Sequence, residues 1–262
     1  MRETKYDKIG LGYNATRQAD TYLASRMLHY LAPQPGQRFL DIGCGTGNYT
    51  SIFMNKGLDF IGIDPSDQML SAARDKNPKG KWMQARAEHT GLSSESMDGI
   101  IGSLTIHHWQ NLELAFNELN RILKPTGQLI LFTSTPDQMK GYWLNTYFPK
   151  MLQDSMDQMP SLELVTSALH QSGFQITETE KYFVTAELTD LFLYSGKHRP
   201  HLYLDAQVRQ GISSFSDLSN AEEINAGLAQ LALDIESDKI KEVMDSDEYE
   251  SGDYLFVIAQ KK

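Results

Sequence analysis

The run Phe39-Leu40-Asp41-Ile42-Gly43-Cys44-Gly45-Thr46-Gly47-Asn48 sets apolar residues and an aspartate before three glycines at alternate positions, with a helical pattern directly after. A strand that breaks at glycines and restarts as a helix offers unpaired backbone N–H groups to a ligand. Glycine also permits positive φ and lets a ligand reach the main chain where a Cβ would collide. The chemistry is that of a nucleotide-like cofactor lying on bare backbone. The spacing G-x-G-x-G departs from the G-x-G-x-x-G of the dinucleotide fingerprint, and Asp41 stands where a dehydrogenase strand carries an apolar residue.

Other residues could join this turn. Asp64 ends the apolar run Leu58–Ile63, where a carboxylate can take both hydroxyls of a ribose. It could instead be a charge beside the next helix, with Pro65-Ser66 supplying the cap. His107 and His108 offer imidazoles that titrate near neutrality, suited to general-base work or to a hydrogen-bonded scaffold. No His, Asp or Glu partner stands at ligand spacing from them, so no metal site is expected. Trp109 reads as a packing residue. Glu88 reads either as a ligand contact or as a charge paired with Arg86 or Lys81. Met69 could lie on a flat base or fill core. The single cysteine, Cys44, excludes an intramolecular disulfide and reads as a small residue suited to a tight turn.

The elements that must position these groups are legible from residue 37 onward. Gln37–Ile42, Leu58–Ile63, Lys81–Ala85, Gly99–Leu104 and Gln128–Thr133 read as strands. Helical patterns separate most of them: Tyr49–Lys56, a helix capped by Ser66, and an amphipathic helix capped by Asn111. Ahead of the first strand, Asp20 caps a helix that Pro33 stops. Such alternation is the pattern of a doubly wound parallel sheet. Beyond Ser134 the rhythm breaks, and residues 135–160 show no clean period. A capped helix at Ser161, a strand over Phe174–Val184, a mostly helical stretch over 186–248 and a last strand over Asp253–Ala259 complete the chain.

Thirty-four acidic against twenty-four basic side chains leave a net charge of −10, and no basic run stands out. Nucleic acid is therefore not an expected partner. No apolar stretch approaches a membrane span or a signal peptide, so a soluble, cytoplasmic protein is expected.

Several of these motifs, in this order, resemble the class I S-adenosylmethionine-dependent methyltransferases, in particular the small-molecule branch similar to ubiquinone-biosynthesis methyltransferases. The resemblance rests on Leu40–Gly47, Gly62-Ile63-Asp64, Ala87-Glu88, Ser103 with His107-His108-Trp109, Leu123-Lys124-Pro125 and the Gly173-Phe174 turn. It implies an α/β, doubly wound, mostly parallel seven-stranded Rossmann-like sheet with an antiparallel closing strand and a helical lid insertion. The implied division is a cap segment over 1–35, a cofactor-binding core over 36–185 and 250–262, and a substrate lid over 186–249. The implied cofactor is S-adenosyl-L-methionine and the implied partner a small-molecule methyl acceptor.

The resemblance also carries a site. Asp41, Gly43 and Gly45 would face the methionine and ribose part of the cofactor. Asp64 and Pro65 would hold the ribose, Met69, Ala87 and Glu88 the adenine, with Ser103, His107 and His108 beside the transferable methyl. Arg86 stands where many relatives carry aspartate. The leading segment, with Tyr6, Tyr13 and Arg17, would fold over the cofactor, Arg17 pairing with its carboxylate. In the insertion, Phe192–Tyr203 mixes apolar, aromatic and basic residues and could line a pocket for a partly apolar or anionic acceptor, while Lys197 and Arg199 read equally as solvated charges. Two other functions share the pattern: a cofactor-binding sensor without chemistry, and a nicotinamide-dependent oxidoreductase, which the glycine spacing disfavours.

Overall fold

The computed structural model describes residues 16–218, 220–245 and 250–262. Seven strands form one sheet: β1 (Arg38–Ile42), β2 (Asp59–Asp64), β3 (Lys81–Gln84), β4 (Met97–Ser103), β5 (Leu123–Thr133), β6 (Phe174–Tyr182) and β7 (Tyr254–Lys261). Their spatial order is β3-β2-β1-β4-β5-β7-β6, with β7 antiparallel to both neighbours and the pairs from β3 to β5 parallel. The order reverses between β1 and β4, and in open α/β sheets the crevice beyond the strand ends at such a point is where ligands bind.

Buried side chains cover both faces, so these strands read as continuous apolar runs although their residues alternate sides. Phe39, Phe60, Ile130, Phe132 and Phe256 belong to one core cluster, while Leu40, Ile42, Leu129, Leu131 and Val257 belong to the other. The helices follow in chain order as α1 (Thr21–Leu31), α2 (Asn48–Asn55), α3 (Asp67–Lys76), α4 (Leu112–Ile122), α5 (Pro136–Lys140), α6 (Pro149–Gln158), α7 (Leu162–Gln171), α8 (Ala206–Gln210), α9 (Ala221–Glu236) and α10 (Ile240–Asp245). The amphipathic pattern of α4 turns Ala115, Phe116, Leu119 and Ile122 onto the second cluster, and Asn111 caps it by accepting from the Leu114 N–H at 2.9 Å. Burying such a face supplies most of a helix's stability.

The region beyond β5 is more ordered than its sequence suggests. Thr135 and Gln138 form a reciprocal capping box on α5, and α6 buries Met151, Leu152 and Met156. Between β6 and β7 only α9 is long. Among the described residues the other elements are short: a 3₁₀ turn at Pro200–Leu204, α8, a π turn at Ser214–Leu218 and α10. Leu188, Phe192, Tyr194, Tyr203, Ile212 and Leu231 from this stretch lie in the same apolar cluster as α1 and the sheet face. One boundary that differs from the sequence pattern bears on the site. β4 ends at Ser103, and Leu104 takes positive φ (50°), so His107 and His108 sit on a separate 3₁₀ turn, Ile106–His108. Among the described residues no helix is long and apolar enough to cross a membrane.

Candidate active site

The glycine turn joins β1 to α2, with φ of 73° at Gly43, 54° at Gly45 and 70° at Gly47. The Gly43 and Cys44 N–H groups both donate to the Ile63 carbonyl, at 2.8 and 3.0 Å, which ties the turn to the end of β2. Asp64 completes the tie: one carboxylate oxygen accepts the Gly45 N–H at 2.9 Å and the other accepts the Ser66 N–H at 2.9 Å. Ser66 in turn caps α3 through the Met69 N–H. Asp64 thus lines the cavity while fixing the start of a helix.

The three glycines have different jobs. A Cβ at Gly43 would run into the Thr105 side chain, and one at Gly47 into the Trp82 ring. A Cβ at Gly45 would meet nothing within 4 Å, and Gly45 lines the cavity. Gly45 is therefore the bare face that a ligand can approach. Its neighbour Cys44 is half-buried, and burial, reinforced by the Asp41 and Asp64 carboxylates, pushes its thiol well up, so it stays protonated as a packing residue.

One cavity gathers Arg17, Gly43, Gly45, Asp64, Pro65, Met69, Ala87, Glu88, Ser103, His107 and His108. Asp41 is not among its lining residues. It is 3% exposed, behind the turn, and accepts from the Thr50 hydroxyl at 2.5 Å. Burial, with the Asp64 charge nearby, pushes its carboxyl up to about 7, against the pull of Thr50. Glu88 accepts the backbone N–H of Gln110 at 2.6 Å and of Asn111 at 3.2 Å, fixing the loop before α4, while Lys81 pairs with Asp59 at 2.5 Å. The partners expected for Glu88 from sequence proximity are replaced by amides that the fold brings in. His107 and His108 hold their ring centroids 3.8 Å apart at an interplanar angle of 51°. Trp109 stands edge-on to Phe116 at 5.4 Å, which makes it a packing residue on the cavity wall.

Tyr6 and Tyr13 lie outside the described residues. Arg17 reaches the cavity, but its Nε also pairs with Asp190 at 2.5 Å, and Asp190 accepts from the Tyr49 hydroxyl at 3.1 Å. This junction joins the segment before α1, helix α2 and the loop after β6. Asp190 was not visible as a site residue because it stands 173 positions from Arg17.

The opposite wall comes from chain beyond β5: Ser134, Met139, Tyr142, Ser155, Phe192, Leu193, Ile212, Ser214, Asp217 and Tyr254 are among its residues. Phe192 and Leu193 line it as the aromatic stretch suggested. Lys197 and Arg199 do not. Lys197 pairs with the buried Asp253 at 2.9 Å, and Arg199 donates to the Leu188 carbonyl at 2.5 Å. Neither cation lines the cavity, and both are half-buried and bound by protein acceptors.

A seven-stranded sheet with this order, a glycine turn after its first strand and a carboxylate ending the second define a nucleotide-cofactor α/β protein. A family model described as a methyltransferase domain matches residues 40–131. An uncharacterised methyltransferase of Mycobacterium tuberculosis is 32% identical over 115 residues, covering 44% of this chain and 47% of that one. The chain spans about half the length of the curated relatives it matches. A crystal structure of a putative methyltransferase from an antibiotic biosynthesis pathway of Anabaena variabilis is 32% identical, with a TM-score of 0.83 over 94% of this chain and 99% of that one. Phosphoethanolamine N-methyltransferase 2 of Haemonchus contortus, solved with S-adenosyl-L-methionine, shares the fold at a TM-score of 0.62 and 18% identity, covering 98% of this chain and 58% of that one. The chain belongs to the class I S-adenosylmethionine-dependent methyltransferase family.

Proposed function

We propose that this protein transfers a methyl group from S-adenosylmethionine to a small-molecule acceptor by direct displacement. The observation that carries the proposal is the convergence of Gly45, Asp64 and the His107–His108 pair on one cavity. The residues present fit the cofactor. Gly45 presents backbone with open space where a side chain would stand. Each Asp64 oxygen accepts one backbone N–H, which fixes the carboxylate on the cavity wall, where it can take a ribose hydroxyl. Met69 and Ala87 supply an apolar edge for adenine, and Glu88 holds that edge through the Gln110 and Asn111 amides. Asp41 supports the turn from behind through Thr50. Arg17 covers the methionine end while Asp190 fixes its guanidinium.

The cofactor supplies a methyl group on a sulfonium, a leaving group that needs no protonation. The chain therefore has to align the acceptor atom and exclude water. Ser103 and the histidine pair stand where the acceptor enters, and a proton lost from the acceptor goes to an imidazole of that pair. On this reading residues 36–185 with 250–262 form the cofactor-binding core, residues 186–249 the acceptor wall, and residues 1–35 the cap. The test is incubation with methyl-labelled cofactor and cell extract, followed by separation of small molecules from protein and nucleic acid. Label is expected in the small-molecule fraction. Cofactor binding without label in that fraction would contradict the proposal.

A further inference from the structure

Two halves of the cavity differ in chemistry. The half built from the glycine turn and the ends of β2 to β4 carries Asp64, Arg86, Glu88 and two imidazoles. The half built beyond β5 is mostly uncharged: Met139, Phe192, Leu193 and Ile212 alternate there with neutral polar groups such as Gln158 and Ser213. Among the described residues the single charged side chain on that half is Asp217, which is exposed. The nearby cations are committed elsewhere, Lys197 to Asp253 and Arg199 to backbone carbonyls. Arg17, at the junction of the halves, faces the Asp190 carboxylate.

Among the polar groups of this wall is a buried hydroxyl pair. Ser155 of α6 and Ser214 of the π turn are 5% and 7% exposed, and the Ser155 hydroxyl donates to the Ser214 hydroxyl at 2.7 Å. Two hydroxyls bring two protons, and one hydrogen bond between them uses one. The second O–H, on Ser214, faces surroundings in which an unmade hydrogen bond is costly. Other hydroxyls on this wall are differently placed: those of Tyr142 and Ser134 both donate to the Asp253 carbonyl, at 2.5 and 3.1 Å, that of Tyr254 accepts the Tyr194 N–H at 3.2 Å, and Ser213 is only half-buried. A π turn at this point is itself suggestive, since such turns occur often at functional sites.

We propose that this half of the cavity takes an uncharged, largely apolar acceptor and holds one of its oxygens through the Ser155–Ser214 hydroxyl pair. The inference rests on the methyl-transfer reading and names the acceptor class for it. An anionic acceptor would lose its water here without gaining a cation, and an ammonium would meet only an exposed carboxylate at the margin. A carbonyl or hydroxyl oxygen accepts the spare Ser214 proton, while the apolar remainder packs on Phe192 and Ile212.

The test is calorimetry on the full chain, first with S-adenosylhomocysteine alone and then, at saturation, with naphthol, naphthoate and naphthylmethylammonium. Naphthol is expected to bind, with either ion weaker by roughly tenfold or more. Ser214→Ala should weaken naphthol by roughly fivefold while leaving S-adenosylhomocysteine affinity unchanged. Ser155→Ala, which leaves the Ser214 hydroxyl in place, should cost less. Binding of either ion as tight as naphthol, no binding of any probe, or an unchanged naphthol affinity in Ser214→Ala would overturn the inference. Failure of S-adenosylhomocysteine itself to bind removes the cofactor reading first, and the acceptor inference with it.

Discussion

The Asp64 carboxylate accepts the Gly45 N–H at 2.9 Å, joining the side chain that ends β2 to the one glycine of the turn that faces open space. A ligand resting on Gly45 therefore finds a carboxylate already held in place by two backbone donors. The Ser66 cap of α3 fixes it from the other side, so little ordering is left for the ligand to bring about.

Substituting the glycines separates ligand contact from packing. Gly45→Ala should cost about 1 to 2 kcal/mol for the left-handed backbone, leave the chain folded and weaken cofactor binding. Gly43→Ala carries the same backbone cost plus a collision with the buried Thr105, and should melt several degrees lower still. Thermal melts beside cofactor titrations decide this. Equal melting of the two variants would contradict the assignment.

Removing Arg17 strands a carboxylate that is nearly closed to solvent. Arg17→Met should destabilise the fold by about 3 kcal/mol, because Asp190 then keeps only the Tyr49 hydroxyl as a partner. Arg17→Met with Asp190→Asn should recover most of that loss. Denaturant midpoints measure both, and a double variant no more stable than the single one would show that the pair is not the cause.

The raised Asp41 carboxyl gives stability a definite dependence on pH. Its folded value of about 7 lies above the ordinary value of about 4, so the folded state holds this proton more tightly than the unfolded state does. The cost of ionising it is absent below about pH 4, grows between pH 4 and 7, and is complete above that. Asp41→Asn keeps an acceptor for Thr50 and should gain on the parent above pH 7 but not below pH 4. Urea melts across this range test the sign, and a gain confined to acid pH would refute it.

The turn, Asp64 and α4 were legible because each is announced by neighbouring residues: glycines at alternate positions, an acid closing an apolar run, a cap before a 3.6-residue period. The wall built beyond β5 was not. Helix α5 and the π turn are five residues each, too short to show a period, and their buried faces follow from tertiary contacts. Lys197 read equally as a pocket-lining or a solvated charge because its partner Asp253 lies 56 residues further on, on the approach to β7. Gly43 read like Gly45, since Thr105, whose side chain a Cβ at Gly43 would meet, arrives from beyond β4.

The histidine pair has a kinetic test once an acceptor is in hand. His107→Gln and His108→Gln, made separately, should show one variant with kcat reduced roughly a hundredfold and cofactor affinity unchanged. Losses below tenfold in both would assign the pair to shaping the wall. The pH profile of the parent should then carry a limb that the impaired variant lacks.

The most direct measurement is a calorimetric titration of the full chain and of Asp64→Ala with S-adenosylmethionine, with thermal melts confirming that both are folded. The parent should bind one equivalent, and Asp64→Ala should lose roughly a hundredfold, as expected for charge-assisted hydrogen bonds to two ribose hydroxyls. Equal affinity in the two proteins would contradict the site proposed here.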